Sequence, residues 1–222
     1  MTLYDKGEKM SPSQIISKLK EQGLVVVVRG DDKEVGFKTA QACIAGGITA
    51  IEVAYTNPDA NMIITELSRC HKDDVSVLIG AGTVLDSVTA RQAIMAGASY
   101  IVSPSFNIEV AKICHLYAVP YLPGCMTLTE ITNALEAGCE MVKLFPGSVL
   151  GTNYITAIKG PLPHVSIMVT GGVKLDNVSE WFNAGATVLG IGGEFNQLAT
   201  KGEFGTIQEL ASSYASVRDK MK

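Results

Sequence analysis

The sequence predicts an α/β fold, a parallel eight-stranded (β/α)8 TIM barrel, as one domain over residues 1–222. Three observations carry that prediction. Eight short apolar runs begin at intervals of roughly 20–26 residues, with helical patterns in most of the gaps. A phrase opening Ala-Gly recurs four times, at Ala45, Ala96, Ala137 and Ala184, and each time leads through a turn into an apolar run. The main competitor is an open doubly wound sheet. It places a glycine-rich loop after its first strand, and here that strand ends Arg29-Gly30-Asp31-Asp32.

The elements follow in order. Residues 1–13 read as a short polar leader. Residues 24–28 are five apolar residues in a row, as a strand buried on both faces requires. Residues 34–45 form a helix whose start is the acidic run Asp31-Asp32-Lys33-Glu34. Residues 50–53 are the second strand, residues 60–69 a helix and residues 75–79 the third strand. Helix 87–96 precedes strand 100–102, and helix 108–117 precedes strand 119–122. Helix 128–137 leads into strand 141–145. Strands 166–169 and 188–191 complete the set, with helix 177–183, capped from Asp176, between them. Residues 206–221 read as a final helix covering the barrel.

Composition excludes several classes. The chain is 47% apolar and 18% charged, with a net charge of −4 and no basic cluster interleaved with aromatics. Nucleic acid is therefore not an expected partner. No apolar run approaches the ~20 residues of a membrane helix. Residues 1–10 lack the apolar core of a secretion signal. Cysteines 43, 70, 114, 125 and 139 are odd in number and form no Cys-x-x-Cys pair, which fits free thiols in a reducing cytoplasm. His71, His115 and His164 have no metal-ligand spacing, so no metal is expected. Gly80-x-Gly82 lacks the third glycine of a dinucleotide loop, and there is no phosphate-binding Gly-Lys-Ser/Thr motif.

A barrel of this type builds its active site at the C-terminal ends of its strands. Those ends carry Arg29, Glu52, Gly80 to Thr83, Ser103-Pro104, Pro123-Gly124, Lys143, Phe145 to Gly147, Thr170 to Gly172, and Gly192 to Glu194. Lys143 lies among Met141, Val142, Leu144 and Phe145. Burial there favours the neutral amine, which attacks a carbonyl to form an imine. Glu52 can shuttle the protons that each step requires. The bland alternative is a buried Lys–Glu ion pair joining two strands. Thr170-Gly171-Gly172 and Gly192-Gly193 follow the last two strands, where exposed amides bind an anion in many barrels. Two tight turns are the alternative there.

Ile51-Glu52-Val53, Gly80-Ala81-Gly82-Thr83-Val84, Val102-Ser103-Pro104, Leu122-Pro123-Gly124, Val142-Lys143-Leu144-Phe145-Pro146-Gly147 and Val169-Thr170-Gly171-Gly172 stand in this order. In that arrangement the chain resembles the 2-keto-3-deoxy-6-phosphogluconate (KDPG) and 2-keto-4-hydroxyglutarate (KHG) aldolases, from about Ile15 to Gly193. The resemblance implies a homotrimeric class I aldolase, without metal or cofactor. Such an enzyme cleaves a keto acid substrate to pyruvate and glyceraldehyde 3-phosphate, glyceraldehyde or glyoxylate. It implies that Lys143 forms the Schiff base and Glu52 is the acid/base. Thr83 and Pro104 line the pyruvyl end, Phe145 packs beside the imine, and Thr170 meets the hydroxyl-bearing portion. Gly171, Gly172, Gly192 and Gly193 hold the distal anion.

Two departures stand out. Several family members carry an arginine for the pyruvyl carboxylate where this chain has Thr56; other members place one at the end of the first strand, and Arg29 takes that role here. The family's last motif usually ends in serine, whose hydroxyl meets a phosphate, and here Glu194 stands in its place. A carboxylate there repels a phosphate unless it turns away or pairs with a cation such as Lys174, so a preference for an unphosphorylated substrate is expected. The rival readings are a phosphate-gripping barrel isomerase or synthase without imine chemistry, and a non-catalytic barrel that binds a keto acid.

Overall fold

The computed structural model describes residues 10–221; residues 1–9 of the expected leader lie outside the described residues. A helix begins inside that stretch. Pro12–Gln22 is helix α1, opened by a capping box in which Ser11 bonds the Gln14 amide and Gln14 bonds the Ser11 amide. Then follow β1 (Leu24–Val28), α2 (Lys33–Ala45), β2 (Ala50–Ala54), α3 (Ala60–Cys70), β3 (Leu78–Gly82), α4 (Ser87–Ala96), β4 (Tyr100–Val102) and α5 (Ile108–Leu116). The second half comprises β5 (Tyr121–Leu122), β6 (Gly124–Cys125), α6 (Leu128–Glu136), β7 (Met141–Leu144), α7 (Gly147–Leu150), α8 (Thr152–Lys159), β8 (Ser166–Thr170), α9 (Val178–Asn183), β9 (Val188–Ile191), α10 (Gly193–Thr200) and α11 (Phe204–Met221).

The strands form one parallel sheet in the order β5-β4-β3-β2-β1-β9-β8-β7-β6, a nearly closed barrel. It has nine strands, where eight were expected. The extra boundary falls at Pro123, which has no N–H to give to the ladder. β5 pairs β4 on one side of it and β6 pairs β7 on the other. The Pro123 carbonyl still accepts from the Lys143 amide at 2.8 Å.

Most boundaries agree with the apolar pattern within two residues. The third strand does not: it begins at Leu78, three residues after the expected Val75. The Asp74 carboxylate bonds the Ser76 amide and its carbonyl bonds the Val77 amide, so Val75 rides an exposed turn. Helix α9 is capped at Asn177 and not at Asp176.

Two cores result. The outer one fills the layer between strands and helices. The inner one fills the barrel with Val25, Ala50, Leu78, Tyr100, Met141, Met168 and Val188, most of them near the N-terminal ends of their strands. Ile15, Ile16 and Leu19 of α1 join this inner cluster and plug that end. Each such side chain contributes roughly 1.5–3 kcal/mol by burial. The final helix α11 does not cover the barrel as expected. It lies in the outer layer against α2, α9 and α10. The opposite mouth, where the strands end, is left for polar residues.

Candidate active site

Among the described residues, the two charged side chains buried inside the strands form one pair. Lys143 on β7 and Glu52 on β2 point across the barrel, with Nζ 3.3 Å from Oε1. Their side chains are 7% and 1% exposed. Two glycines of β3 make this possible. A Cβ on Gly82 would stand 2.1 Å from Glu52 Oε1, and one on Gly80 would stand 2.4 Å from the Tyr100 ring. The β strand thus gives up side chains so that a carboxylate and an aromatic ring can fill the same layer. Tyr100 lies below the pair and donates to the Ile51 carbonyl at 2.8 Å. Burial, and secondarily the Glu52 charge, hold its phenol protonated well above the ordinary range.

Glu52 Oε2 is buried and has no hydrogen-bond partner among the described residues. The Thr170 hydroxyl is in the same condition. Buried orphan oxygens are uncommon and mark places where a water or ligand completes the bonding. Lys143 Nζ also lies 5.5 Å from the Phe145 ring centroid, within cation–π range.

The remaining expected residues ring this pair. Thr83 follows β3 with φ of +58°, a left-handed conformation that a β-branched residue rarely takes. Pro104 follows β4, and its carbonyl occupies the space a Cβ on Gly124 would need. Buried Ser103 bonds Tyr121 and the Ser105 carbonyl, pinning that loop. Arg29 is exposed at the mouth and its Nη1 lies 3.3 Å from Thr56 Oγ1. The two positions weighed for the carboxylate-binding arginine, 29 and 56, therefore touch.

Two asparagines missed by the sequence reading hold Arg29 in place. Asn57 donates to the Arg29 carbonyl at 2.8 Å. Asn196 accepts from the Arg29 amide at 2.8 Å and donates to the Val27 carbonyl at 2.8 Å. Asn196 also donates to the Gly192 carbonyl, tying the end of β1 to the end of β9. Neither asparagine stands in a recognisable motif, so only the fold reveals them.

Gly171 and Gly172 have φ of +93° and +80°, and Gly193 opens α10. With Gly190, Gly192, Lys174, Glu194 and Gln197 they line a cavity of about 320 Å³. Lys174, the expected cation for Glu194, forms no ion pair with it among the described residues. Its partner is instead Tyr214 of α11, whose hydroxyl donates to Glu194 Oε2.

A buried amine beside a carboxylate, at the mouth of a parallel barrel, is the equipment of an imine-forming lyase. Comparison with known proteins agrees. A family model described as KDPG and KHG aldolase matches residues 15–210. A 2-dehydro-3-deoxy-6-phosphogalactonate aldolase of Escherichia coli is 31% identical over 90% of this chain and 96% of its own. A 2-dehydro-3-deoxy-phosphogluconate aldolase of Treponema pallidum is 36% identical over 89% and 94%. The crystal structure of a KDPG aldolase from Legionella pneumophila, with pyruvate captured as a covalent carbinolamine, superposes with a TM-score of 0.83. It is 26% identical, over 93% of this chain and 98% of that one.

The chain belongs to the KDPG and KHG aldolase family. It is a class I aldolase, a carbon–carbon lyase that yields pyruvate and an aldehyde.

Proposed function

We propose that this chain cleaves a 2-keto-4-hydroxy acid of the KDPG or KHG type through an imine on Lys143. The observation that carries this assignment is the 3.3 Å contact between Lys143 Nζ and Glu52 Oε1, with Glu52 Oε2 unpartnered. Glu52 takes a proton from the lysine, and the neutral amine attacks C2 of the keto acid. Glu52 returns that proton to the carbinolamine hydroxyl, which leaves as water, so that a protonated imine and a free carboxylate remain. Glu52, through a water on its free oxygen, then removes the C4 hydroxyl proton. The C3–C4 bond breaks, its electron pair enters the imine to give an enamine, and the aldehyde departs. Protonation of C3 and hydrolysis release pyruvate and restore the lysine.

In this reading Arg29 binds the pyruvyl carboxylate, Thr83, Pro104 and Phe145 line the pyruvyl end, and Thr170 meets the hydroxyl-bearing portion. Gly171, Gly172, Gly192 and Gly193 face the distal end. The aldehyde is glyceraldehyde, its 3-phosphate or glyoxylate. The working form is a cytoplasmic homotrimer. Free thiols, four of them buried, suit a reducing compartment, and no helix among the described residues is long and apolar enough to cross a membrane. Val88, Met95 and Leu116, exposed on α4 and α5, supply apolar surface for subunit contacts.

A pyruvate-release assay on 2-keto-3-deoxy acids and 2-keto-4-hydroxyglutarate tests the assignment. Turnover by the native chain and its loss in Lys143→Met are expected. Undiminished turnover by Lys143→Met would exclude an imine at that residue.

A further inference from the structure

We infer that Glu194, held by Tyr214, makes the distal cavity a site for uncharged hydroxyl groups, so that this chain prefers 2-keto-3-deoxy sugar acids without a terminal phosphate. The inference rests on the aldolase reading above and names its substrate class.

Three observations support it. First, Glu194 lines the cavity together with Gly171, Gly172, Gly192 and Gly193. Glu194 stands in the first turn of the eight-residue helix α10. There it already compensates the positive end of the helix, whose attraction for an incoming anion is reduced accordingly.

Second, that carboxylate is fixed. Tyr214 is fully buried, so its hydroxyl cannot turn to bulk water for a partner. It donates to Glu194 Oε2. Burial first, then the bond to Glu194 and the charges of Glu194 and Asp176, raise the Tyr214 phenol far above its ordinary range, so it remains a donor. A carboxylate has about four acceptor positions, and the phenol uses one. The others can accept from hydroxyls and cannot donate to a phosphate. Lys174 is the cation lining the cavity; it is exposed and forms no ion pair with Glu194.

Third, Thr170 Oγ1 is buried and unpartnered, and the residue is 9% exposed. It packs against Gly190, which lines the cavity: a Cβ on Gly190 would come within 2.3 Å of it. Thr170 pairs with Gly190 and lies two residues nearer the mouth than Met168, the partner of Lys143. A hydroxyl that both donates and accepts therefore lies nearer the mouth than the reacting lysine, directly behind a glycine of the cavity wall. Successive hydroxyls of a sugar-acid tail match that sequence of partners.

The test is the ratio of kcat/KM for 2-keto-3-deoxygluconate to that for its 6-phosphate. The native chain should give a ratio above one. Glu194→Ser removes the charge, and Glu194→Gln removes it while keeping a carbonyl for Tyr214. Both should lower the ratio at least ~10-fold, the effect of ~1.4 kcal/mol of relieved repulsion. Tyr214→Phe frees the carboxylate to leave the cavity and should lower the ratio in the same direction, whereas a purely structural role would depress both substrates alike. A native ratio below one, or a smaller change in both Glu194 variants, overturns the inference. Borohydride trapping of pyruvate on the native chain separates the two failures. A Lys143 adduct with the wrong ratio defeats the inference alone; absence of the adduct defeats the aldolase reading beneath it.

Discussion

Gly82 has no side chain because Glu52 fills the space one would occupy: an added Cβ would stand 2.1 Å from Glu52 Oε1. The glycine on β3 thereby sets where the carboxylate on β2 points, and that direction brings it to Lys143 on the opposite wall. A Gly82→Ala substitution forces the carboxylate aside. Its φ is not in the left-handed region, so backbone strain is not the issue. Turnover should fall at least ~10-fold, a fraction of what a positioned acid/base contributes. Circular dichroism checks that the barrel persists; a fully active, folded Gly82→Ala protein would refute this positioning.

Glu52 itself gives a sharper effect. Glu52→Gln keeps the shape and removes the proton acceptor. Turnover should drop by ~10² or more, the usual scale for a general acid/base. Pyruvate should still bind, measured by calorimetry. Unfolding of this variant at room temperature would instead mark Glu52 as a structural counter-ion of Lys143.

Arg29 reaches the mouth beside Thr56, steered by Asn57 and Asn196. Replacing it by leucine should raise the pyruvate dissociation constant by about tenfold or more, since a charge-assisted hydrogen bond contributes ~1.5–3 kcal/mol. A dissociation constant unmoved by Arg29→Leu would transfer the carboxylate to backbone amides near Gly82 and Thr83.

Much of this arrangement was legible in the sequence, and the exceptions have physical causes. Lys143 and Glu52 could be read because they are charged residues inside otherwise apolar runs, and strand ends meet in a barrel. β1, β4 and β9 were placed to the residue because their apolar runs end abruptly. β3 was placed three residues early because apolar Val75 precedes a turn set by Asp74. α1 went unseen although Ser11-Pro12-Ser13-Gln14 carries a capping box, since the polar residues before it resembled a leader. α10 was hidden behind Gly192-Gly193, which reads as a turn. The Tyr214–Glu194 bond joins two helices across 20 residues, and no local pattern announces it.

Acid should loosen the loop before α6 through Glu130. Its carboxylate accepts from the Met126 and Thr127 amides at 2.8 and 2.7 Å. Those bonds, led by Met126, lower its pKa from the ordinary 4.5. A lowered folded value means that the stabilisation is fully present above 4.5 and is lost as pH falls through the lower folded value. Urea denaturation of native protein and Glu130→Gln should therefore differ at pH 7, with the native protein more stable, and converge well below pH 4.5. An unchanged difference across that range would contradict the assignment.

The most direct measurement for the whole account is borohydride reduction in the presence of pyruvate, followed by peptide mass spectrometry. The account predicts inactivation with one reduced pyruvyl group, carried by Lys143, and neither adduct nor inactivation in Lys143→Met. An adduct on a different lysine, or an enzyme that turns over substrate yet yields no adduct at all, would contradict it.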